Sequence, residues 1–106
     1  HSNIGVKILL LNNSFLGMVR QWQELFFKHR YSFTDMDNPD FLKIAEAYRI
    51  PAKRISQYEA LDSSIDEMLA AEGPYLLEVV VRNEENVFPM VPPGASLSNL
   101  ILDENQ

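Results

Sequence analysis

Two apolar runs along the chain have the pattern of buried β-strands. Val6–Leu11 is apolar at every position except Lys7, and Tyr75–Val81 is apolar at every position except Glu78. Continuous rather than alternating apolarity is typical of strands that are covered on both faces, as in parallel sheets. A third, shorter strand is predicted at Lys53–Ile55.

A helix is predicted over about Leu16–Lys28, because apolar residues in and beside this segment recur at intervals of three and four. The apolar positions are Phe15, Met18, Val19, Trp22, Leu25 and Phe26. A stripe of this kind usually packs into a hydrophobic core, so a core role is one interpretation of these side chains.

A second helix is predicted between Asn38 and Pro51. Asn38 can cap it and Pro39 suits its first position. Asp40 favours the positive end of the helix dipole. Pro51 should end the helix, because its ring cannot continue the hydrogen-bond pattern.

A third helix is predicted behind Ser56 and Glu59, which have the spacing of a capping box, and it should end before Gly73. Strands that alternate with helices predict an α/β fold with three layers, in which right-handed crossovers join a parallel sheet. Two or three strands make a thin sheet, and an edge as apolar as Val6–Leu11 would invite pairing with another chain. We therefore expect a single domain, residues 1–106, whose first half is missing, and a fragment that self-associates.

The remaining segments have no regular apolar spacing. His29–Asp37 is predicted as a loop and the proline-rich Phe88–Gly94 as irregular chain. A weak helical turn is predicted at Leu97–Leu102, and residues 103–106 form an acidic tail that we expect to be mobile.

Composition narrows the possible functions. The chain has a net charge of −6 and a pI of about 4.7, which argues against a nucleic-acid surface and against an anionic membrane surface. It has no cysteine and only two histidines, His1 and His29, so disulfides, thiol chemistry and zinc are not expected. Its longest apolar run, Ile8–Leu11, is too short to span a bilayer, and no signal peptide is recognisable.

The strongest candidate for chemistry is the segment Asn12–Met18, between the first strand and the first helix. Ligands of open α/β sheets bind at the carboxyl ends of strands, and a helix N-terminus there attracts phosphate. The amide oxygen of Asn13 suits magnesium, as does a carbonyl oxygen two residues later. Two asparagines at a strand end are also ordinary turn residues, so a turn without a metal remains an alternative.

The segment Asn12–Gln23 resembles the second half of the thiamine-diphosphate fold motif, which in that family opens with Gly-Asp-Gly and closes with Asn-Asn. Its extension, Leu-Gly-Met-Val-Arg-Gln-Trp-Gln, resembles the biosynthetic acetohydroxyacid (acetolactate) synthases. Further matches run through the chain to Pro92. They are His29–Ser32, Asn38–Phe41, Ile44–Tyr48, Gly73–Val79 and Asn86–Val91.

This resemblance implies roles for individual residues. Asn13 and the main-chain carbonyl of Phe15 match the magnesium ligands that this part of the domain contributes. Asn13 and Phe15 also match cofactor-binding positions, together with Leu16, Gly17 and Met18. The positions that match the substrate channel are Met18, Val19, Trp22 and Phe26, with Trp22 favouring 2-ketobutyrate as acceptor, and the segment that closes over the channel matches Pro92–Ala95.

The resemblance also implies the chemistry of the whole enzyme. Such synthases decarboxylate pyruvate and transfer the hydroxyethyl unit to a second pyruvate or to 2-ketobutyrate, in the synthesis of valine, leucine and isoleucine. They use thiamine diphosphate, Mg²⁺ and FAD, and they form homodimers or tetramers, often with a regulatory subunit. The implied location is the cytoplasm of a bacterium or an organelle of a eukaryote.

Several parts of that machinery are missing from the chain. It has no Gly-Asp-Gly to supply the magnesium-binding aspartate, and the cofactor-activating glutamate of the family belongs to an N-terminal domain. No residue is assigned as catalytic, so we expect the fragment alone to be inactive and to bind the cofactor weakly. Another thiamine-diphosphate lyase and a non-catalytic interaction module remain alternatives.

Charged residues allow two further interpretations. Arg20, Lys28 and Arg30 are candidates for an anion-steering patch, although a solvated helix face is the simpler interpretation. Glu84 and Glu85 are adjacent carboxylates, but in a turn such neighbours rarely do acid–base chemistry.

Overall fold

The computed structural model describes residues 4–103, which divide into two compact units. The first comprises the residues up to Ser14 together with Asp37–Arg82, and the second comprises Phe15–Met36 together with the residues from Asn83 onward. Residues 104–106 of the expected mobile tail lie outside the described residues, whereas Asp103 is exposed. The single domain over residues 1–106 stays a prediction.

Regular structure follows the predicted order of strands and helices. The strands are β1 (Lys7–Asn12), β2 (Ala52–Ile55) and β3 (Tyr75–Val80). The helices are α1 (Gly17–Phe26), α2 (Phe41–Ala47) and α3 (Leu61–Ala70), and a short 3-10 helix, Tyr58–Ala60, precedes α3. Helix α1 belongs to the second unit and all other elements belong to the first.

The first unit contains a three-stranded sheet in the order β1-β3-β2, and both strand pairs are parallel. In the register, Lys7 lies opposite Tyr75 and Asn12 lies opposite Val80, while Arg54 of β2 lies opposite Glu78. The prediction of an α/β fold with a parallel sheet is confirmed. Parallel pairing also brings the carboxyl ends of all three strands to the same edge of the sheet.

The core lies between the sheet and α3. Side chains alternate along a strand, so Tyr75 and Leu77 of β3 point to the same face. There they pack with Ile55 of β2 and Met68 of α3, and Leu77 is fully buried. The central position of β3 explains why its first four residues are all buried.

Helix α2 also packs against β2 and β3. Its cap is Asp40, whose carboxylate accepts hydrogen bonds from the amides of Leu42 and Lys43 at 3.1 and 3.4 Å. The prediction that Asn38 caps this helix is therefore wrong. Asn38 instead donates its side-chain amide to Oδ1 of Asn12 at 2.9 Å, so a tertiary contact displaces the local signal.

The capping box predicted for the third helix is also not formed. Helix α3 begins after the 3-10 helix, and its N-cap is Ala60, whose methyl group cannot accept a hydrogen bond. At the other end of α3 the chain turns through Gly73. Nζ of Lys7 donates hydrogen bonds to the carbonyls of Ala71 and Gly73 there, and this contact ties β1 to the end of the helix.

Strand β1 is an edge of the sheet, and its apolar side chains are exposed. Leu9 is 49% exposed and Leu11 is 64% exposed. The apolar edge predicted from the sequence is present, but the expected cover on both faces is not. The reason is that α2 and α3 pack mainly over the central strand β3 and over β2, the strand at the opposite edge of the sheet.

The second unit is held together by contacts of α1 with irregular chain. Gln21 is 2% exposed, and its side-chain amide exchanges hydrogen bonds of 2.9 Å with both the carbonyl and the amide of Val87. The helical turn predicted at Leu97–Leu102 is wrong. The chain makes a reverse turn from Ser96 to Asn99, and Ile101 then pairs with Met90 in an antiparallel bridge.

No helix within residues 4–103 combines the length and the apolar character needed to cross a membrane.

Candidate functional site

The carboxyl end of β1 ends in a turn that Asn12 organises. Its side-chain oxygen accepts a hydrogen bond from the backbone amide of Ser14 at 3.0 Å. Asparagine side chains stabilise turns in this way, and the turn places Ser14 in the left-handed region with φ of 56°. The turn interpretation of the two asparagines therefore holds for Asn12.

A polar network surrounds this turn at the edge of the sheet. Asn12 donates its amide to Glu78 at 2.8 Å, and Glu78 accepts a second hydrogen bond from Nε of Arg54 at 2.6 Å. Arg54 also contacts the carboxylate of Asp40 at 3.1 Å. These residues, with Asn38, line a shallow polar depression in the first unit.

The charges of the network support one another. The hydrogen bond that Arg54 donates to the carboxylate of Glu78 raises the pKa of Arg54. Desolvation raises the pKa of the Asp40 carboxyl, but hydrogen bonds from the backbone and the charge of Arg54 outweigh this effect and hold it below its usual value. Asp40 is therefore ionised at neutral pH, when it caps α2 and pairs with Arg54.

Asn13 is half-buried directly after β1. Magnesium prefers hard oxygen ligands, which an asparagine amide and a main-chain carbonyl provide, so the chemistry of Asn13 and Phe15 fits a share of a magnesium site. Both groups are neutral, and no three His, Cys, Asp or Glu side chains gather into a metal cluster anywhere in residues 4–103.

Helix α1 buries its polar side rather than its apolar side. Arg20 and Gln21 are its buried residues, whereas Met18, Val19 and Trp22 are 57%, 49% and 40% exposed. These three apolar side chains line an open apolar cavity on the surface of the second unit. The interpretation of the stripe as core is therefore wrong for these three positions.

Phe26 extends this apolar face by one helical turn. Its ring meets the ring of Trp22 edge to face, with centroids 5.9 Å apart, and 37% of the residue is exposed. We call Met18, Val19, Trp22 and Phe26 the apolar face of α1. It consists of the same four residues that the family resemblance assigns to the substrate channel.

The start of α1 holds the remaining predicted cofactor positions. Leu16 is its N-cap and is exposed, as is Gly17, while Phe15 is half-buried. The backbone amide of Leu16 donates to the carbonyl of Thr34 at 2.8 Å, beside an antiparallel bridge between Phe15 and Asp35. This bridge fixes the backbone of Phe15, whose carbonyl is the predicted ligand.

The position of Arg20 contradicts both interpretations of its charge, the anion-steering patch and the solvated helix face. It is 8% exposed, pairs with Glu24 at 2.9 Å and lies 4.9 Å from the centre of the Tyr31 ring. It therefore belongs neither to an anion-steering patch nor to a solvated face. Desolvation and the nearby Glu24 raise the pKa of Tyr31, so the phenol stays protonated beside the ion pair.

The other sequence candidates lie at the surface. Lys28 and Arg30 are exposed in the loop after α1, and Glu84 and Glu85 are exposed after β3. Pro92–Ala95 forms a turn in which the amide of Ala95 donates to the carbonyl of Pro92 at 3.1 Å. The closing role that the resemblance gives to this segment stays a prediction.

Sequence reasoning missed the network around Glu78. A signal was present, since Glu78 is the only charged residue in the apolar run Tyr75–Val81, and a lone charge in a central strand needs polar partners. Glu78 is bonded by Asn12 and Arg54, and of these two only Asn12 stands in a recognisable motif; Arg54 has no distinguishing local pattern.

Comparison with known proteins places these features in a family. A family model for thiamine pyrophosphate enzymes, C-terminal TPP binding domain, matches residues 1–79. The chain is 52% identical over 97 residues to the acetolactate synthase isozyme 2 large subunit of Escherichia coli (strain K12), covering 91% of the chain and 18% of the relative.

Two eukaryotic proteins are similar over the same stretch. The mitochondrial acetolactate synthase of Schizosaccharomyces pombe is 48% identical over 103 residues, which cover 97% of the chain and 15% of the relative. The chloroplastic acetolactate synthase 2 of Zea mays is 40% identical over 109 residues, with 95% and 17% covered. The chain thus spans less than a fifth of the length of each of these relatives.

These matches confirm the resemblance first recognised in Asn12–Gln23. The turn at the end of β1 and the helix that follows it lie within the matched residues. The chain therefore belongs to the family of C-terminal thiamine-pyrophosphate-binding domains of thiamine pyrophosphate enzymes.

Proposed function

We propose that this chain is the C-terminal part of the cofactor-binding domain of an acetolactate synthase. The observation that carries the proposal is its similarity to acetolactate synthases of a bacterium, a yeast and a plant over more than nine tenths of the chain. The reaction joins two molecules of pyruvate, with loss of CO₂, into acetolactate. With 2-ketobutyrate as acceptor the product is acetohydroxybutyrate.

Thiamine diphosphate, when bound, supplies the carbanion stabilisation that decarboxylation of a 2-keto acid requires. This chain contributes residues that bind and orient the cofactor. Asn13 and the carbonyl of Phe15 would hold Mg²⁺ at the diphosphate, and Leu16, Gly17 and Met18 would line the cofactor. The exposed start of α1 suits this role, because helix N-termini present backbone amides to phosphate groups.

The apolar face of α1 would form a wall of the substrate channel. The two acceptors differ by one methylene group, and an apolar pocket distinguishes such a difference by about 1–3 kcal/mol. Trp22 is the largest side chain of this face and therefore the strongest candidate for acceptor selection. The exposure of the face supports this assignment, since a side chain that lines a channel must be accessible to substrate.

The rest of the site would come from elsewhere in the synthase. We expect another segment to supply the magnesium-binding aspartate and the cofactor-activating glutamate, and another domain to bind FAD. Assembly as a homodimer or tetramer, together with a regulatory subunit, is part of the proposal. The compartment would be the cytoplasm in a bacterium, or an organelle in a eukaryote, as for the mitochondrial and chloroplastic relatives.

A chimera tests the proposal directly. In it, this chain replaces the matching segment of the large subunit from Escherichia coli, which is 52% identical to it. We expect the chimera to convert pyruvate to acetolactate and to bind thiamine diphosphate in the presence of Mg²⁺. The matched control is Asn13→Ala, which removes one proposed metal ligand and should abolish magnesium-dependent cofactor binding.

The outcome separates the alternatives. A folded chimera that binds the cofactor but makes no acetolactate would favour another thiamine-diphosphate lyase. A folded chimera that binds no cofactor would favour a non-catalytic module and contradict the proposal.

A further inference from the structure

Glu78 is a buried carboxylate in the middle of the sheet, with 1% of its surface exposed. Both of its oxygens are engaged, one by Asn12 at 2.8 Å and the other by Arg54 at 2.6 Å. The side chain of Arg54 is 41% exposed, so the ion pair joins one buried and one partly solvated charge, and burying a charge in such a pair is often no more stabilising than well-packed apolar residues of similar size. The stability of the sheet therefore does not by itself account for a carboxylate at this position.

Asn12 connects Glu78 to the turn at the end of β1. Its Nδ2 donates to Glu78, while its Oδ1 accepts hydrogen bonds from the backbone amide of Ser14 at 3.0 Å and from Asn38 at 2.9 Å. Its backbone carbonyl also accepts from the amide of Val81 at 3.0 Å. Asn12 is thus held through both its side chain and its main chain, and Asn13 lies inside the turn that it closes.

The carboxylate of Glu78 and the backbone amide of Ser14 together fix which way the amide of Asn12 points. An ionised carboxylate only accepts hydrogen bonds, so it requires the NH₂ group of the amide on its own side. The oxygen then faces Ser14, where it closes the turn. Without the carboxylate the amide can rotate by half a turn and present its NH₂ group to the amide of Ser14, and two donors cannot bond each other.

We propose that Glu78 is a positioning residue for the magnesium–diphosphate site: it orients Asn12, and the turn that Asn12 closes fixes Asn13 as a metal ligand. The inference rests on the proposed function, since it takes Asn13 as a ligand in a thiamine-diphosphate site. Groups that orient metal ligands typically change metal affinity by about 10–100-fold when they are altered. Glu78 acts on the metal only through Asn12.

The test measures Mg²⁺ binding to the chimera by calorimetry at saturating thiamine diphosphate, together with thermal unfolding of the cofactor-free protein. In Glu78→Gln the new NH₂ group must face either Asn12 or Arg54, both donors. We expect the Kd for Mg²⁺ to rise about 10–100-fold. Glu67→Gln is the matched control, because Glu67 pairs with Lys53 and Tyr75 rather than with Asn12, and it should leave the Kd unchanged.

An inverted pair provides the decisive variant. In the double variant Asn12→Asp with Glu78→Gln, the amide donates to the carboxylate in the reverse direction, and the turn and Arg54 both keep an acceptor. We expect it to restore the Kd for Mg²⁺ to within about a factor of three of the unmutated chimera, as expected for directly coupled residues. Asn12→Asp alone sets two carboxylates against each other and should weaken Mg²⁺ binding.

Three results would overturn the inference while the proposed function stands. The first is an unchanged Kd in Glu78→Gln, even with a lower unfolding temperature. The second is tighter Mg²⁺ binding in Asn12→Asp alone, which would make the added charge the cause of any rescue. The third is a folded double variant, Asn12→Asp with Glu78→Gln, whose Kd for Mg²⁺ is not restored. This double variant still tests the inference if Glu78→Gln alone does not fold. An unmutated chimera that binds no thiamine diphosphate would instead contradict the proposed function and the inference with it.

Discussion

At the scale of single residues, the polar contacts of the first unit distinguish groups that stabilise the fold from groups that organise a site. Glu67 on α3 accepts hydrogen bonds from Lys53 at 2.9 Å and from Tyr75 at 3.1 Å. Its side chain is 52% exposed, so solvent screens the pair with Lys53. Glu78, by contrast, is buried and its partners lead to the turn at Asn12. The role of Glu67 is therefore tested by the stability of the fold, and the role of Glu78 by the affinity for Mg²⁺.

The first prediction concerns the pH dependence of stability through Glu67. The hydrogen bond from Lys53, followed by that from Tyr75, lowers the pKa of Glu67 below its ordinary value of 4.5. A lowered pKa in the folded state stabilises the fold above the unfolded pKa and loses this effect as the pH falls through the folded value. The free energy of unfolding should therefore differ between the 106-residue chain and Glu67→Gln at pH 7, and the difference should diminish as the pH falls below 4.5 and through the lowered pKa of the folded state.

Urea unfolding across this pH range measures the difference. Glu59→Gln is the control, because Glu59 is exposed in the 3-10 helix, and it should leave the acid limb unchanged. A difference between the chain and Glu67→Gln that stays constant from pH 7 to pH 3 would contradict the assignment.

The second prediction concerns acceptor choice through Trp22. In the chimera, Trp22→Leu removes the largest side chain of the apolar face of α1 and should reduce the preference for 2-ketobutyrate over pyruvate. Since one methylene contributes about 1–3 kcal/mol in such pockets, we expect a change of about tenfold or more. Competition between the two acceptors, with both products quantified, gives the ratio.

Phe27→Leu is the control for that experiment. Phe27 is an aromatic residue directly after α1 and is 50% exposed, but it lies outside the apolar face. Equal shifts of product ratio in both variants would argue against a specific role of Trp22.

At the scale of elements, the sequence predicts where helices and strands lie better than it predicts what they contact. The apolar spacing of α1 identifies a helix, but spacing does not reveal whether the apolar face meets a core or a substrate. Here Gln21 bonds the backbone of Val87 and takes the buried side. The capping signal at Asn38 fails for a similar reason, since its hydrogen bond with the distant Asn12 outweighs a local one.

The third prediction concerns the junction of β1 with α3. Lys7 donates to two carbonyls beyond the end of α3, where a positive charge also favours the helix dipole. Hydrogen bonds from a charged group contribute about 1.5–3 kcal/mol, so Lys7→Met should lower the free energy of unfolding of the 106-residue chain by roughly that amount.

Lys43→Met, at an exposed position of α2, is the control and should change the stability little. Both variants are compared by urea unfolding at neutral pH. Equal stability of the Lys7→Met variant and the unmutated chain would contradict this prediction, because it would mean that water satisfies the two carbonyls as well as Lys7 does.

At the scale of the whole chain, apolar surface is exposed in both units, on β1 in the first and on α1 in the second. In most folded proteins an edge strand such as β1 is paired or protected, and the apolar face of a helix is covered by other residues. An unpaired apolar edge strand favours association with another chain. The lone charge of β3, the apolar edge and the family motif were all readable in the sequence. The network around Glu78 was not, because it joins residues from four separate segments of the chain.

The fourth prediction is that the 106-residue chain self-associates through β1. Its weight-average mass should rise with concentration in light scattering, and Leu11→Lys should shift it toward the monomer, since a charge on an edge strand opposes pairing. Leu69→Lys on α3 is the matched control, because Leu11 and Leu69 are both 64% exposed. A monomer at all concentrations, or equal effects of the two substitutions, would contradict a role of the strand edge.

The pairing of β1 with β3 has a consequence for how the protein is made. Lys7 pairs with Tyr75, so the first strand cannot join its partner until most of the chain has left the ribosome. At about 5–20 residues per second this takes roughly 3–14 s. During that interval the apolar strand β1 has no partner strand to pair with. In a cell it would be a natural substrate for chaperones that bind nascent chains.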